Sequence, residues 1–292
     1  MPADTDTWYP SRYGAEDQAG ALNEITSTAV VAAAGLVRQG RIYDLAHVLD
    51  AHVPAFPGRT FHQHLNPPEG LDTANQVHWV VEYVTAPSQM GTHMDGLNHL
   101  HIGDRTYNGH RVADIIEDYG TNRLGIETLP QVITRGLLLD VAAARGVGRL
   151  EQGDVITPAD AEAALARQDL AAPDPGAAVL FHTGWGRLWG EDNDTYVAGE
   201  PGPGMALAGW LVEHRVAITG CDTWSFGPVP PEDPDAPFVV PQTLNAKHGV
   251  VVLENLRLAE LADDGVGEFM FVVSHAKLRG ATGAWVAPLA VI

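Results

Sequence analysis

Apolar positions along this chain follow two different periods, and the period changes from one segment to the next. In "EITSTAVVAAAGLVRQG", residues 24 to 40, Ser and Thr precede an Ala-rich apolar stretch and Gly closes it, which predicts a helix. "RIYDLAHVL" follows as a strand. "VHWVVEYVT", residues 77 to 85, is dense in β-branched and aromatic residues and reads as another strand, running through a Pro-Ser turn into a histidine-rich segment. Strands and helices then alternate: "RGLLLDV" (strand), "TPADAEAALARQ" (helix, Thr157 as cap and Pro158 at the first position), "AAVLFHTGW" (strand), "GMALAGWLVEHR" (helix) and "VAITGCDT" (strand). Three further strand-like runs, "GVVVLENL", "EFMFVVSH" and "AWVAPLAVI", end the chain. The alternation predicts an α/β architecture with strands flanked by helices. "GPVPPEDPDAPFVVP", residues 227 to 241, breaks both periods with Pro and acidic residues and reads as a surface loop.

Composition narrows the possible partners. With 292 residues, 45% hydrophobic and 18% charged, the chain has material for a large core, and no apolar run is long enough to span a membrane. The formal net charge of -20, without any basic block, opposes binding to nucleic acid or to an anionic membrane surface. The first twenty residues lack the basic and apolar regions of a secretory signal, so a cytoplasmic location is expected. The single cysteine, Cys221, excludes an intrachain disulfide and a Cys-rich zinc site, and its neighbours suggest a buried strand end.

The candidate chemistry lies in "QMGTHMDGLNHLHIGD", residues 89 to 104. On an extended chain side chains alternate faces, so Gln89, His93 and Asp95 share one side. Asp95 and His99 share a face whether the chain bends into a helix after Gly96 or stays extended. Imidazole, carboxylate and amide together can hold a divalent ion, and a further histidine supplies a proton acceptor. The alternative is a solvated loop with hydrogen-bonded histidines, and spacing alone leaves both open.

"GTHMDGLNH" resembles the HxGTHxDxPxH signature of the cyclase family of metal-dependent hydrolases, which includes bacterial kynurenine formamidase, isatin hydrolase and proteins named as polyketide cyclases. "IYDLAHVL", "HIGDRTYNG", "VLFHTGWG", "GVVVLENL" and "LRGATGAWVAPLAVI" extend the resemblance over roughly residues 40 to 292. It implies a swivelling β/β/α domain preceded by an N-terminal extension, residues 1 to 39, that carries a helix. It also implies His93 and Asp95 as metal ligands, His99 as acid/base, and Glu254 of "ENL" either orienting His99 or completing the metal shell. Gln89 and Gln242 stand where the family has two further histidine ligands, and Leu97 replaces the signature proline. Amide oxygen is a weaker and harder donor than imidazole, so the set His93, Asp95, Gln89 and Gln242 suits one divalent ion, Mn²⁺ or Zn²⁺, better than a pair of zinc ions.

The implied activity is hydrolysis of a small cyclic amide, formamide or lactone. The alternatives are a lyase or cyclase step on the same residues, and a binding protein with a degenerate metal site. The resemblance further implies a homo-oligomer, dimer or tetramer, acting on a small-molecule substrate. His101 is read as a pocket residue or a surface histidine, and His182 as a core histidine or one at the edge of the site. Trp79 and Trp224 are read as core residues or platforms for a planar substrate. His62 and His64, in "TFHQHLNP", are expected in a mobile, solvated loop.

Overall fold

Nine strands pair into one mixed sheet that organises the whole chain, whose computed structural model describes residues 8–292. In chain order they are β1 (Ile42–Asp44), β2 (His93–Asp95), β3 (Val132–Asp140), β4 (Ala178–His182), β5 (Ile218–Cys221), β6 (Val251–Glu254), β7 (Glu268–Val273), β8 (Gly283–Trp285) and β9 (Leu289–Val291). The spatial order is β1-β9-β7-β3-β4-β5-β6-β2-β8. Strands β3 to β6 run parallel and adjacent, and the strands on either side of them are antiparallel.

The parallel strands are apolar on both faces because both faces are covered. Leu138, Leu180, Ile218 and Leu253 face one core, and their neighbours Leu137, Leu139, Val179, Phe181 and Val252 face the other. Helices α1 (Ser27–Ala34), α2 (Pro158–Arg167) and α3 (Met205–Glu213) pack around the sheet, with α2 and α3 filling the second core through Ala161, Ala164, Leu165, Leu207 and Leu211. The predicted helix starts hold. Thr26 caps α1 by accepting from the Ala29 amide, and Thr157 and Asp160 form a reciprocal capping box on α2. The first core gathers Tyr43 and Ala290 from one end of the strand order with Met94 and Ala284 from the other. The sheet therefore curls until its two ends share one interior, giving the expected β/β/α layering. No helix among the described residues is long and apolar enough to cross a membrane.

The structure corrects three expectations. "VHWVVEYVT" is not one strand but two short ones, and both lie outside the nine-stranded sheet. His78–Trp79 pairs with Glu69–Gly70 and Glu82–Thr85 pairs with His62–Leu65, two small ladders in which every residue is exposed. A run apolar on both faces needs cover on both, and among the described residues nothing covers the ladders of the arm, residues 62–85. His62 and His64 lie on a strand of that arm, with His64 stacked on Tyr83, and not in an irregular loop. Finally, "AWVAPLAVI" divides at Pro288 into β8 and β9, because proline cannot donate to a ladder, and the halves join distant parts of the sheet. Cys221 is buried in β5, as expected.

Candidate metal centre and cleft

Sheet register assembles the site. His93 and Asp95 are alternate residues of β2 and share a face, while Glu254, the last residue of β6, pairs directly across from His93. All three side chains are buried, and ligand atoms from each lie within 4.8 Å of one another. His93 Nε2 is 3.2 Å from Glu254 Oε2 and 3.6 Å from Asp95 Oδ1. On the far side of β2, Gly283 of β8 sits opposite Asp95, and a Cβ there would meet the Gln89 amide nitrogen at 2.7 Å and the Met94 carbonyl at 2.8 Å.

Whether these residues fit a cation is answered by what they lack. His93 Nδ1 is 2.8 Å from the Gly91 carbonyl, an N–H donation that leaves Nε2 as the ring's free ligand atom. Nε2 and Asp95 Oδ1 are both buried without a hydrogen-bond partner. Two orphaned buried acceptors and a carboxylate converging on one point are what a divalent ion satisfies. A proton competes for the same point. Burial by itself would lower the His93 pKa, but the adjoining Glu254 carboxylate and the charge of Asp95 outweigh it and raise the value. Burial, helped by Asp95, also raises the Glu254 carboxyl against the pull of His93. Both groups must lose a proton to bind a metal, so metal affinity rises with pH. Adding Mn²⁺ to chelator-stripped protein should therefore raise its melting temperature, by more at pH 8 than at pH 6; differential scanning fluorimetry across that range checks the sign.

His99 stands at the rim, Nε2 3.9 Å from Asp95 Oδ1 and one-quarter exposed. With Asp95, Glu254 and Gln89 it lines a cleft of about 150 Å³ that opens to solvent, whose other walls are Phe56, Arg59, Leu100, Trp224, Ser225, Phe238 and Pro241. The rings run in sequence, with Phe56 5.6 Å from Trp224 and Trp224 6.2 Å from Phe238. Phe238 holds a left-handed backbone, φ 57°, uncommon for a bulky residue and one that carries its ring into this wall. Beneath it Glu200, wholly buried, accepts hydrogen bonds from the Trp224 and Ser225 amides. Burial and the nearby charge of Glu254 push the Glu200 carboxyl well above its usual range.

The remaining residues singled out by sequence are dispersed. Gln89 is in the cleft, with its amide donating to Thr282 Oγ1 at 3.1 Å. The Gln242 amide donates at 2.5 Å to the His101 carbonyl, and the His101 ring lies 3.2 Å from the Asn98 carbonyl; neither residue lines the cleft. His182, at the end of β4, pairs with Asp140 at 2.8 Å and lies 3.9 Å from Asp222. Burial opposes protonation of His182, but the two carboxylates prevail and raise its pKa; Asp140 is correspondingly lowered despite its own burial. Asp222 accepts the Thr183 and Gly184 amides, so His182, Asp140 and Asp222 tie the ends of β3, β4 and β5 together. Trp79 is in neither core nor cleft: it is exposed on the arm, its indole donating to Glu69. Trp224 alone of the two tryptophans lines the cleft. Phe56, Arg59, Phe238 and Glu200 went unmarked in the sequence, because no spacing links residues that meet only through the loops over the strand ends.

Comparison with known proteins places this geometry. A family model described as "Putative cyclase" matches residues 43–228. A crystal structure described as a novel cyclase superposes with a TM-score of 0.87 at 29% identity, covering 96% of this chain and 98% of that one. Isatin hydrolase A from Labrenzia aggregata, bound to benzyl benzoate, aligns with a TM-score of 0.62 at 21% identity over 88% of this chain and 94% of its own. The corresponding enzyme from Ralstonia solanacearum aligns with a TM-score of 0.65 at 21% identity over 92% and 98%. No curated protein matches the chain in sequence.

Proposed function

From the premise that the chain belongs to the cyclase family, we propose that it is a metal-dependent hydrolase cleaving a C–N or C–O bond in a small cyclic amide, formamide or lactone. The observation that carries this reading is the convergence of His93, Asp95 and Glu254, with two of their ligand atoms unsatisfied, beside a histidine that faces an aromatic cleft. These three residues would hold one divalent ion. Two carboxylates with one imidazole form an oxygen-rich set that suits Mn²⁺ at least as well as Zn²⁺. When bound, such an ion supplies Lewis acidity at a carbonyl and makes water nucleophilic at neutral pH.

The chain's own residues supply the rest. His99, 3.9 Å from Asp95, takes the proton from the attacking water and returns it to the departing nitrogen or oxygen. Phe56, Trp224 and Phe238 exclude water and hold a flat substrate. The deciding experiment is a hydrolysis screen over formamides, imides and lactones with Mn²⁺-loaded and chelated protein. Metal-dependent appearance of a carboxylate product supports the reading, whereas elimination or ring closure without water uptake replaces it.

The reading includes a cytoplasmic homo-oligomer. The arm of residues 62–85 exposes Leu65, Val80, Tyr83 and Val84 at 41% or more, and a two-stranded ladder without cover is marginal in water. A second copy of the chain supplies that cover. Sedimentation should show a dimer or tetramer, and Tyr83→Glu with Val84→Glu should shift it towards monomer.

A further inference from the structure

Arg59 is a cation without a counter-charge at the edge of an acidic site. Its Nη1 donates to the Gln89 carbonyl at 2.6 Å and its Cζ lies 5.3 Å from the centre of the Phe56 ring, which together fix the guanidinium against the cleft wall. Among the described residues no carboxylate comes within ion-pair distance of it, although the chain carries 37 acidic residues against 17 Lys and Arg. In a chain with that excess of acid, a cation held in a cleft beside Asp95 and Glu254 yet paired with neither is free to pair with something that enters. The single carbonyl leaves most of its donor fork unused, and planar forks match carboxylates in a bidentate way. On the same wall Trp224 keeps its indole N–H buried without a protein partner, a second donor for a ligand oxygen.

We propose that Arg59 determines specificity by binding an anionic substituent, a carboxylate or its equivalent, on a planar aryl substrate whose ring lies against Phe56 and Trp224. This rests on the hydrolase reading for what happens to the substrate, but not for what binds. In productive orientation the scissile carbonyl faces His93, Asp95 and Glu254 while the anion faces away, towards Arg59. A neutral aryl amide or lactone then enters the same cleft without this anchor.

Benzoate and its neutral isostere benzamide are suitable probes, their affinities measured by calorimetry or ligand-observed NMR on Mn²⁺-loaded and chelated protein. Wild type should prefer benzoate by roughly tenfold to a hundredfold, the usual span for a charged hydrogen-bonded contact. Arg59→Ala should erase that preference by weakening benzoate far more than benzamide, and retained binding of benzamide reports that the cleft is folded. Arg59→Lys should keep part of the preference, since it keeps charge but loses the fork. The proposal is overturned if wild type shows no preference, if the preference survives Arg59→Ala, or if chelation alone abolishes it, which would put the anion on the metal. If the preference behaves as expected but no amide or lactone carrying a carboxylate is hydrolysed, the anion site stands and the hydrolase reading fails.

Discussion

Replacing His93 and Asp95 together by alanine should abolish stoichiometric metal binding and cut turnover at least about a thousandfold, the scale of several kcal/mol of lost charge stabilisation at about 1.4 kcal/mol per factor of ten. The size of the effect follows from geometry. The two side chains contribute two of the three donors that lie within 4.8 Å of one another, and Glu254 alone, on the neighbouring strand, is a single carboxylate. The fold should survive, because β2 is held between β6 and β8 by backbone pairing and by the Thr92 side chain, which donates to the Asn255 carbonyl at 2.6 Å. Elemental analysis with circular dichroism checks both halves. Stoichiometric metal on a folded double variant would move the centre elsewhere.

His99→Ala should leave the ion in place and lower turnover about a hundredfold or more, the ordinary contribution of a general acid-base residue. The distinction from the first variant is positional. His93 is buried with its free nitrogen turned towards two carboxylates, whereas His99 is partly exposed in the cleft and reaches Asp95 only at 3.9 Å. Metal content measured beside turnover separates the roles, and loss of both together would make His99 a ligand.

How much of this was legible depends on whether neighbours in space are neighbours in sequence. Strands β3, β4 and β5 and helices α2 and α3 each declare themselves within a dozen residues, through continuous apolar runs or through a cap followed by a 3.6-residue stripe. His93 and Asp95 were equally local, since the pleat of one strand aligns them. Glu254 was marked only by likeness to a family motif, because its place opposite His93 is a property of sheet order. The arm misled because apolar density states that a segment wants cover, and not which surface supplies it. Arg59 and Phe238 were invisible for a different reason. A lone arginine with no carboxylate nearer in sequence than Asp50 and a phenylalanine in a Pro-rich loop carry no pattern, and their importance arises only where the loops converge on one cleft.

The pairing of β6 with β2 also sets an order of events. The side-chain bond beside the metal centre, Thr92 to Asn255, joins residues 163 apart, so the centre is complete only once the two ends of that long loop have met. An ion therefore has no complete site on a nascent or half-folded chain; it is captured once the strand ends are in register. Binding that needs the finished register favours the folded chain over the unfolded one, so the bound metal acts as a latch on the completed protein.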